Sequence, residues 1–205
     1  MTVATDSKTA SPPLSRRLKD ETHEIHDSLD SRISGLSPFL SRAHYACFLR
    51  VQLRFQHATA RLYEDAQLHG WFEGLPRRSR LDLIEADCHD LGLAETFLVV
   101  DRSIGRSVRY DDPYEAVGWL YTNEGSNLGA AFLFKRAEQA LGLGADFGAR
   151  HLAGHPEGRG LHWKRFKAQL DALPFNDDQQ GKAVAGARDA FAFVREAVEQ
   201  VLARS

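Results

Sequence analysis

The sequence has few cysteines, no long apolar run and almost no net charge, and each of these absences excludes a class of protein. Among its 205 residues the only cysteines are Cys47 and Cys88. Two cysteines are too few for a disulfide framework and are typical of a protein in a reducing compartment. No stretch reaches the roughly 18 consecutive apolar residues of a membrane-spanning helix. The 26 basic and 28 acidic residues leave a formal charge of -2, which argues against a dedicated nucleic-acid binder.

The N-terminal residues also lack the apolar segment of a signal peptide. Residues 1–11 are polar and predict a disordered leader. No internal repeat and no Pro- or Gly-rich linker divides the rest, so we expect one folded domain over residues 12–205. Together with the cysteine content, this predicts a cytoplasmic protein.

What the sequence does contain is a succession of helical patterns, and it predicts an all-α fold. The predicted helices cover residues 14–33, 42–68, 76–91, 113–141, 161–173 and 176–203. Ser41 and Asp112 are expected to cap the second and fourth of them. The Gly- and His-rich stretch 142–160 predicts a loop. Residues 97–100 form the one strand-like fragment, which is too short to build a sheet.

The first predicted helix has a histidine at the edge of its apolar face. At about 100° per residue, His26 lies roughly 65° from the centre of the apolar stripe, whereas His23 lies roughly 125° away. Lys19 and Asp30 share the flank of His26. His26 is thus the histidine able to reach an interior cavity, with Asp30 one turn away to hold its ring, as metal-bound histidines usually require. Spacing alone nevertheless favours a core-edge histidine with surface neighbours.

Two glycines stand in the interior of the fourth predicted helix. Each costs about 1 kcal/mol relative to alanine, so Gly125 and Gly129 together give up about 2 kcal/mol of helix stability. Either another helix crosses closely at these positions, or a flat ligand lies against bare backbone; the glycines also permit a kink. The pattern leaves these interpretations open. The basic cluster at residues 77–80 is interpreted as a solvated face or a modest docking patch.

Two helical segments resemble the haem oxygenases. Residues 18–26 contain the pattern L-K-x-x-T-x-x-x-H, which resembles the proximal-helix signature of that family. Residues 118–135 resemble the distal helix of its bacterial branch, and residues 147–152 and 162–166 are also similar to that branch. Both helical motifs occur in order in one chain, and the similarity extends over about residues 14–200.

The resemblance implies a single-domain, multi-helix, haem-oxygenase-like bundle with the haem between the first and fourth predicted helices. His26 is then the ligand of the haem iron, and the flat-ligand explanation applies to the two glycines. Gly125, Ser126 and Gly129 are implied at the distal, oxygen-binding face. The other implied haem contacts are Lys19, Thr22, Tyr121, Arg136, Lys167 and Phe191.

Ser126 departs from the pattern of the family. Many haem oxygenases have an Asp directly after the first distal glycine, where it orders the water that supplies protons. The resemblance therefore implies a proton path through water held by backbone and other polar groups, with Ser126 and Asn127 as contributors. Asp30 likewise replaces a more frequent Glu beside the ligating histidine.

The implied activity is the oxidative opening of haem at a meso carbon to biliverdin, carbon monoxide and ferrous iron. It uses dioxygen and electrons from a ferredoxin or an NADPH-dependent reductase. The resemblance leaves two roles open, iron acquisition and the supply of biliverdin to a phytochrome-like photoreceptor; we expect no nucleic-acid or membrane partner, and a monomer. The alternative is a non-catalytic haem-binding or haem-trafficking protein on the same fold, in which Ser126 marks lost activity. An all-α di-metal protein is disfavoured because the repeated Glu-x-x-His pairs are missing.

Overall fold

The computed structural model describes residues 12–155 and 157–204, which form a helical bundle without a β-strand. The predicted leader at residues 1–11 lies outside the described residues. The all-α prediction is confirmed. The eight α-helices of the described residues are α1 (Leu14–Gly35), α2 (Arg42–Thr59), α3 (Ala66–Trp71), α4 (Leu81–Asp90), α5 (Glu95–Ser107), α6 (Pro113–Leu141), α7 (Arg159–Asp171) and α8 (Asp177–Val201).

Side-chain caps fix where three of the four longest helices begin. The Ser41 hydroxyl accepts a hydrogen bond from the backbone N–H of His44 at the start of α2, and Asp112 caps the first turn of α6. Both caps were predicted and are confirmed. Asn176 and Gln179 form a reciprocal capping box at the start of α8. These caps satisfy N–H groups that have no partner within the helix.

Three segments differ from the sequence prediction. The predicted helix 42–68 ends at Thr59, because Asp65 accepts a hydrogen bond from the N–H of Leu68 and thereby begins α3. Residues 76–80 lie outside α4, which begins at Leu81. The strand-like residues 97–100 belong to α5, where Leu98, Asp101 and Gly105 form a buried stripe at helical spacing.

Helix α8 is the floor on which α1 and α6 both pack. The crossing of α6 and α8 is close, since a Cβ added to Gly118 would lie 1.9 Å from the carbonyl oxygen of Ala183. A Cβ on Gly186 would lie 2.1 Å from the carbonyl oxygen of Glu115. Backbone therefore meets backbone at this crossing, and only glycine fits on either side. No helix in the described part of the chain is long and apolar enough to cross a bilayer.

Candidate functional site

The predicted site residues lie on four helices that surround the space between α1 and α6, which we call the cleft. Both α1 and α6 pack on α8, α7 contacts α1 and α6, and the pair α1 and α6 makes at most a marginal contact. The arrangement leaves α1 and α6 as two walls above the floor formed by α8. Each wall contains residues that the sequence singled out.

His26 lies on the α1 wall with its side chain 53% exposed. Its ring packs edge-on against Phe191 of α8, with ring centroids 5.9 Å apart. The Nδ1 atom lies 3.2 Å from a carboxylate oxygen of Asp27, and Nε2 lies 3.6 Å from one of Asp30. His23 is 64% exposed and is 3.4 Å from Asp27. Of the two histidines, His26 is the one that contacts the floor of the cleft.

The surroundings of Gly125 and Gly129 test the two explanations for glycine inside α6, a close helix crossing and a flat ligand against bare backbone. A Cβ added to Gly129 would meet no atom within 4 Å, and one added to Gly125 would meet only the Trp163 ring, at 3.5 Å. No backbone of another described helix comes close at either position, and α7 reaches Gly125 only through the Trp163 ring, so a close helix crossing does not explain this pair. It applies instead to Gly118, two turns earlier along the same face of α6. Helix α6 is continuous through both glycines.

Next to these glycines, α6 presents apolar side chains to the surface. Leu128 is 41% exposed and Phe132 is 64% exposed. With Gly125 and Gly129 they stand at positions i, i+3, i+4 and i+7, and therefore share one face of the helix. An exposed apolar face beside bare backbone is typical of a binding surface for an apolar ligand.

Three of the predicted residues share one end of the cleft. The Tyr121 ring lies 5.5 Å from that of Trp163, and Lys167 Nζ lies 5.8 Å from the same Trp163 ring. Burial raises the pKa of Tyr121 to about 12, and two nearby carboxylates, one of them Asp20, add to the effect. Ser15 donates two hydrogen bonds to Asp171 of α7, so the first turns of α1, which include Lys19, lie at this end as well.

Arg136 and Thr22 have no contact with the Trp163 ring among those described above. The Arg136 guanidinium packs against the rings of Phe39 and Phe132, at 5.9 and 5.7 Å. It stands eleven residues beyond Gly125, or about 16 Å along the helix axis, so it belongs to the opposite end of the cleft. Thr22 is buried, and its hydroxyl donates to the carbonyl oxygen of Leu18 at 2.7 Å.

Ser126 is exposed, and its hydroxyl donates to the carbonyl oxygen of Asn123 at 2.7 Å. Asn123 is buried; its Oδ1 accepts from Gln56 at 3.0 Å, and its Nδ2 donates to the hydroxyl of Thr59 at 2.7 Å. The backbone that precedes Gly125 is thereby tied to α2. These amide and hydroxyl contacts fix the rotation of α6 about its axis.

A buried carboxylate that the sequence analysis did not single out lies directly before Gly125. Glu124 is 1% exposed; it accepts hydrogen bonds from the Tyr63 hydroxyl at 2.9 Å and from Arg78 at 2.7 Å. Arg78 also donates to Nε2 of His162 at 2.7 Å. Burial, followed by the charge of Glu124, raises the pKa of Tyr63 well above its ordinary value.

This network corrects the interpretation of the basic cluster at residues 77–80. Arg78 is buried because Glu124 compensates its charge, so a solvated face is wrong for this residue. Arg80 is also partly buried and donates to the carbonyl oxygen of His151. A signal for Glu124 was present, since a charged residue occupies the apolar stripe of α6.

The described residues contain no group of three or more His, Cys, Asp or Glu side chains placed to hold a metal ion.

Comparison with known proteins gives a consistent result. The family model described as heme oxygenase matches residues 99–200. Over 179 residues, 86% of this chain and 87% of the relative, the sequence is 44% identical to heme oxygenase PigA of Pseudomonas aeruginosa. The structure is similar to the NO- and CO-bound heme oxygenase of Neisseria meningitidis, with a TM-score of 0.86, 38% identity and 94% of each chain covered. The heme oxygenase of Leptospira interrogans shares the fold at 18% identity, with a TM-score of 0.73 over 93% of this chain and 100% of that chain.

Proposed function

The chain belongs to the haem oxygenase family, and from this premise we propose that it opens haem at a meso carbon. The products are biliverdin, carbon monoxide and ferrous iron, and the reaction consumes dioxygen and electrons from an external reductant. The observation that supports this most is the pairing of two walls on one floor. One wall contains the accessible His26, and the other contains the glycine face of α6.

The residues present fit a haem. A macrocycle needs a flat apolar surface, which Leu128, Phe132 and Phe191 supply. It needs bare backbone on one side of the iron, and Gly129 has open space where a side chain would stand. When bound, haem supplies the iron at which dioxygen is activated. His26 would hold that iron through a ring nitrogen, with Asp30 beside it to orient the ring.

Lys19 and Lys167 are the proposed partners of the haem propionates. Both are cations at the Tyr121 end of the cleft, and Lys167 is partly exposed beside the Trp163 ring. Charge-assisted contacts near solvent stabilise a carboxylate with a small desolvation cost. Arg136, at the other end, is assigned to the apolar edge of the ligand through its contacts with Phe39 and Phe132.

Ser126 is proposed to order water at the distal face rather than to act as an acid. Its hydroxyl proton is engaged with the Asn123 carbonyl, so its oxygen can accept a hydrogen bond from water. A serine hydroxyl is too weak an acid to be a net source of protons at neutral pH, and the backbone groups near Gly125 are proposed to hold the rest of the water chain.

The electron donor follows from the chemistry of the reaction. Protein side chains do not supply the electrons that the ring opening consumes, so we propose a ferredoxin or an NADPH-dependent reductase as the source. A phytochrome-like photoreceptor as the acceptor of biliverdin, a monomeric state and a cytoplasmic location belong to the same proposal.

The experiment mixes the purified protein with haemin and records the Soret band. Ferredoxin, ferredoxin reductase and NADPH are then added in air. We expect the Soret band to decay while the absorbance of biliverdin grows. A haem complex that stays intact under these conditions supports the non-catalytic carrier instead, and a protein that binds no haem contradicts both functions.

A further inference from the structure

The first turns of α7 contact α6 at residues 124–127, which we call the distal segment. Arg159 donates through Nη1 to the carbonyl oxygen of Asn127 at 2.9 Å and through Nη2 to that of Leu152. The Trp163 ring lies 3.5 Å from the position that a Cβ of Gly125 would occupy. Arg159 therefore links the distal segment to the loop that precedes α7.

The side chain of Glu124 fixes the distal segment on its inner side. Its two oxygens accept from Tyr63 and Arg78, which come from two other parts of the chain, and Nε2 of His162 lies 3.5 Å from one of them. Removal of Glu124 or Arg78 would leave the other buried charge without compensation, so the ion pair holds this side chain in place. The distal segment is thus held from α7 and from the core.

The distal segment needs external support because its own sequence does not fix it. Gly125 weakens the helix at the point where the proposed ligand lies. Asn123 holds the turn before this point, but no side chain on Gly125 packs to set the distance of the backbone from the cleft. Contacts from outside the helix must therefore set that distance.

Arg159 is a partly buried cation without a compensating carboxylate among the described residues. Within the described residues it forms no ion pair and donates only to carbonyl oxygens. Burial lowers its pKa; burial followed by the charge of Arg159 lowers the pKa of Arg80. The two guanidinium groups are thus near enough to repel each other, with Glu124 opposing this effect at Arg80. Such local conflicts are expected where function requires a particular geometry.

We propose that Arg159 and Glu124 are positioning residues that set the distance between the distal segment and the bound substrate. They act through the backbone of Gly125 and Ser126 and do not touch the haem. The proposal rests on the proposed function, because it requires the haem to lie against α6.

The test compares Arg159→Gln with Arg165→Gln. Arg165 is a matched control on the same helix; it is exposed, and among the described residues it pairs only with the exposed Glu157. The readouts are the affinity for haemin, the C–O stretching band of the carbon monoxide adduct, the carbon monoxide dissociation rate and the turnover number. Carbon monoxide is neutral, so loss of a cation alone does not alter its binding by simple attraction.

For Arg159→Gln we expect a shifted or split C–O band and about a tenfold change in the carbon monoxide dissociation rate. The turnover number should fall by about tenfold to a hundredfold, since a displacement near 1 Å has effects of that size. Haemin affinity should change by less than about threefold, because the iron ligand is on the opposite wall. Arg165→Gln should match the wild type in all four measurements.

The proposal is overturned if Arg159→Gln lowers only the melting temperature and leaves the C–O band and the turnover number equal to those of the control. Glu124→Gln keeps the shape of the side chain and is expected to shift the same band. If it does not fold, Arg159→Gln decides alone. A wild-type protein that fails to bind or degrade haem contradicts the proposed function instead, so the two failures are distinguishable.

Discussion

The two walls of the cleft are built in opposite ways. On α1, His26 and the carboxylates of Asp27 and Asp30 are mostly exposed, and their contacts with one another are screened by water. On α6, the polar side chains of Asn123 and Glu124 are buried and tied to three other parts of the chain. The α1 residues are therefore free to serve a ligand alone, whereas the α6 residues serve the ligand and the fold at once.

The strongest test of this comparison is on the exposed wall. His26→Ala is expected to lower turnover by more than about a hundredfold, since loss of even an outer partner of a ligating histidine reduces metal affinity or activity 10- to 100-fold. The free energy of unfolding of the haem-free protein should change by less than about 0.5 kcal/mol, because the side chain is exposed. Haemin titration, turnover and urea unfolding measure the three quantities.

His23→Ala is the matched control three residues away on the same helix. It should leave haem binding and turnover close to those of the wild type. Equal losses in the two variants would show that the helix presents a different face to the cleft. A large loss of stability in His26→Ala would contradict the separation of function from fold on α1.

The glycines of α6 on the other wall have two different roles. One allows close packing against α8, and another lies in open space at the proposed site. Gly118→Ala should reduce the free energy of unfolding by about 3 kcal/mol, because its Cβ would overlap the backbone of α8. Gly129→Ala should instead stabilise the haem-free protein by about 1 kcal/mol, through the higher helix propensity of alanine in open space. Urea unfolding without haem measures both changes.

The same pair of variants separates stability from activity. Gly129→Ala is expected to lower the turnover number by about tenfold despite its greater stability, since the new methyl group occupies the proposed distal face. If Gly129→Ala is both more stable and as active as the wild type, the haem does not lie against this position. If Gly118→Ala is harmless, α6 and α8 are farther apart than the structure has them.

The two ends of the cleft offer a finer test. Lys167→Ala is expected to weaken haemin binding about fivefold, and the loss should shrink at high salt, because a screened charge pair is removed. Arg136→Ala, at the other end, should weaken binding without that salt dependence, because its contacts are with Phe39 and Phe132. Haemin titrations at low and high salt compare the variants, and the reverse pattern would place the propionates at the Arg136 end.

Periodicity was enough to predict the parts of the fold that are set locally. The apolar spacing of α1 and the capping residues Ser41 and Asp112 predicted where α1, α2 and α6 begin, because an amphipathic helix and its cap are encoded within a few residues. The break after Thr59 was missed, since it depends on a cap at Asp65 inside a continuous apolar pattern.

The candidate site was predictable only where one helix defines it. Helical spacing placed His26 at the edge of the apolar face of α1, and helix propensity marked Gly125 as an unusual residue for a helix interior. It did not distinguish Gly125 from Gly118, because the difference lies in where α8 crosses. Glu124 was missed for the same reason: its partners Tyr63, Arg78 and His162 come from separate segments and meet only in the folded chain.

The smallest predicted effect concerns the cap from which the α6 wall begins. Burial alone would raise the pKa of Asp112, but hydrogen bonds from the N–H groups of Glu115 and Tyr114 and the charge of Lys182 lower it below 3.8. A lowered pKa stabilises the fold above the ordinary pKa of the carboxyl group, and this stabilisation is lost as the pH falls below 3.8. Asp112→Ala should therefore cost about 1 kcal/mol at neutral pH and progressively less under acid conditions.

Urea unfolding of the haem-free protein, followed from neutral pH towards pH 3, measures the difference. Asp111→Ala is the matched control, because it removes the same charge next to the cap without removing the hydrogen bonds. If both variants lose equal stability, the effect is one of net charge and not of capping. If the cost of Asp112→Ala is independent of pH, the carboxylate charge does not stabilise the first turn of α6. The distal wall would then depend for its position on α8 and the buried network alone.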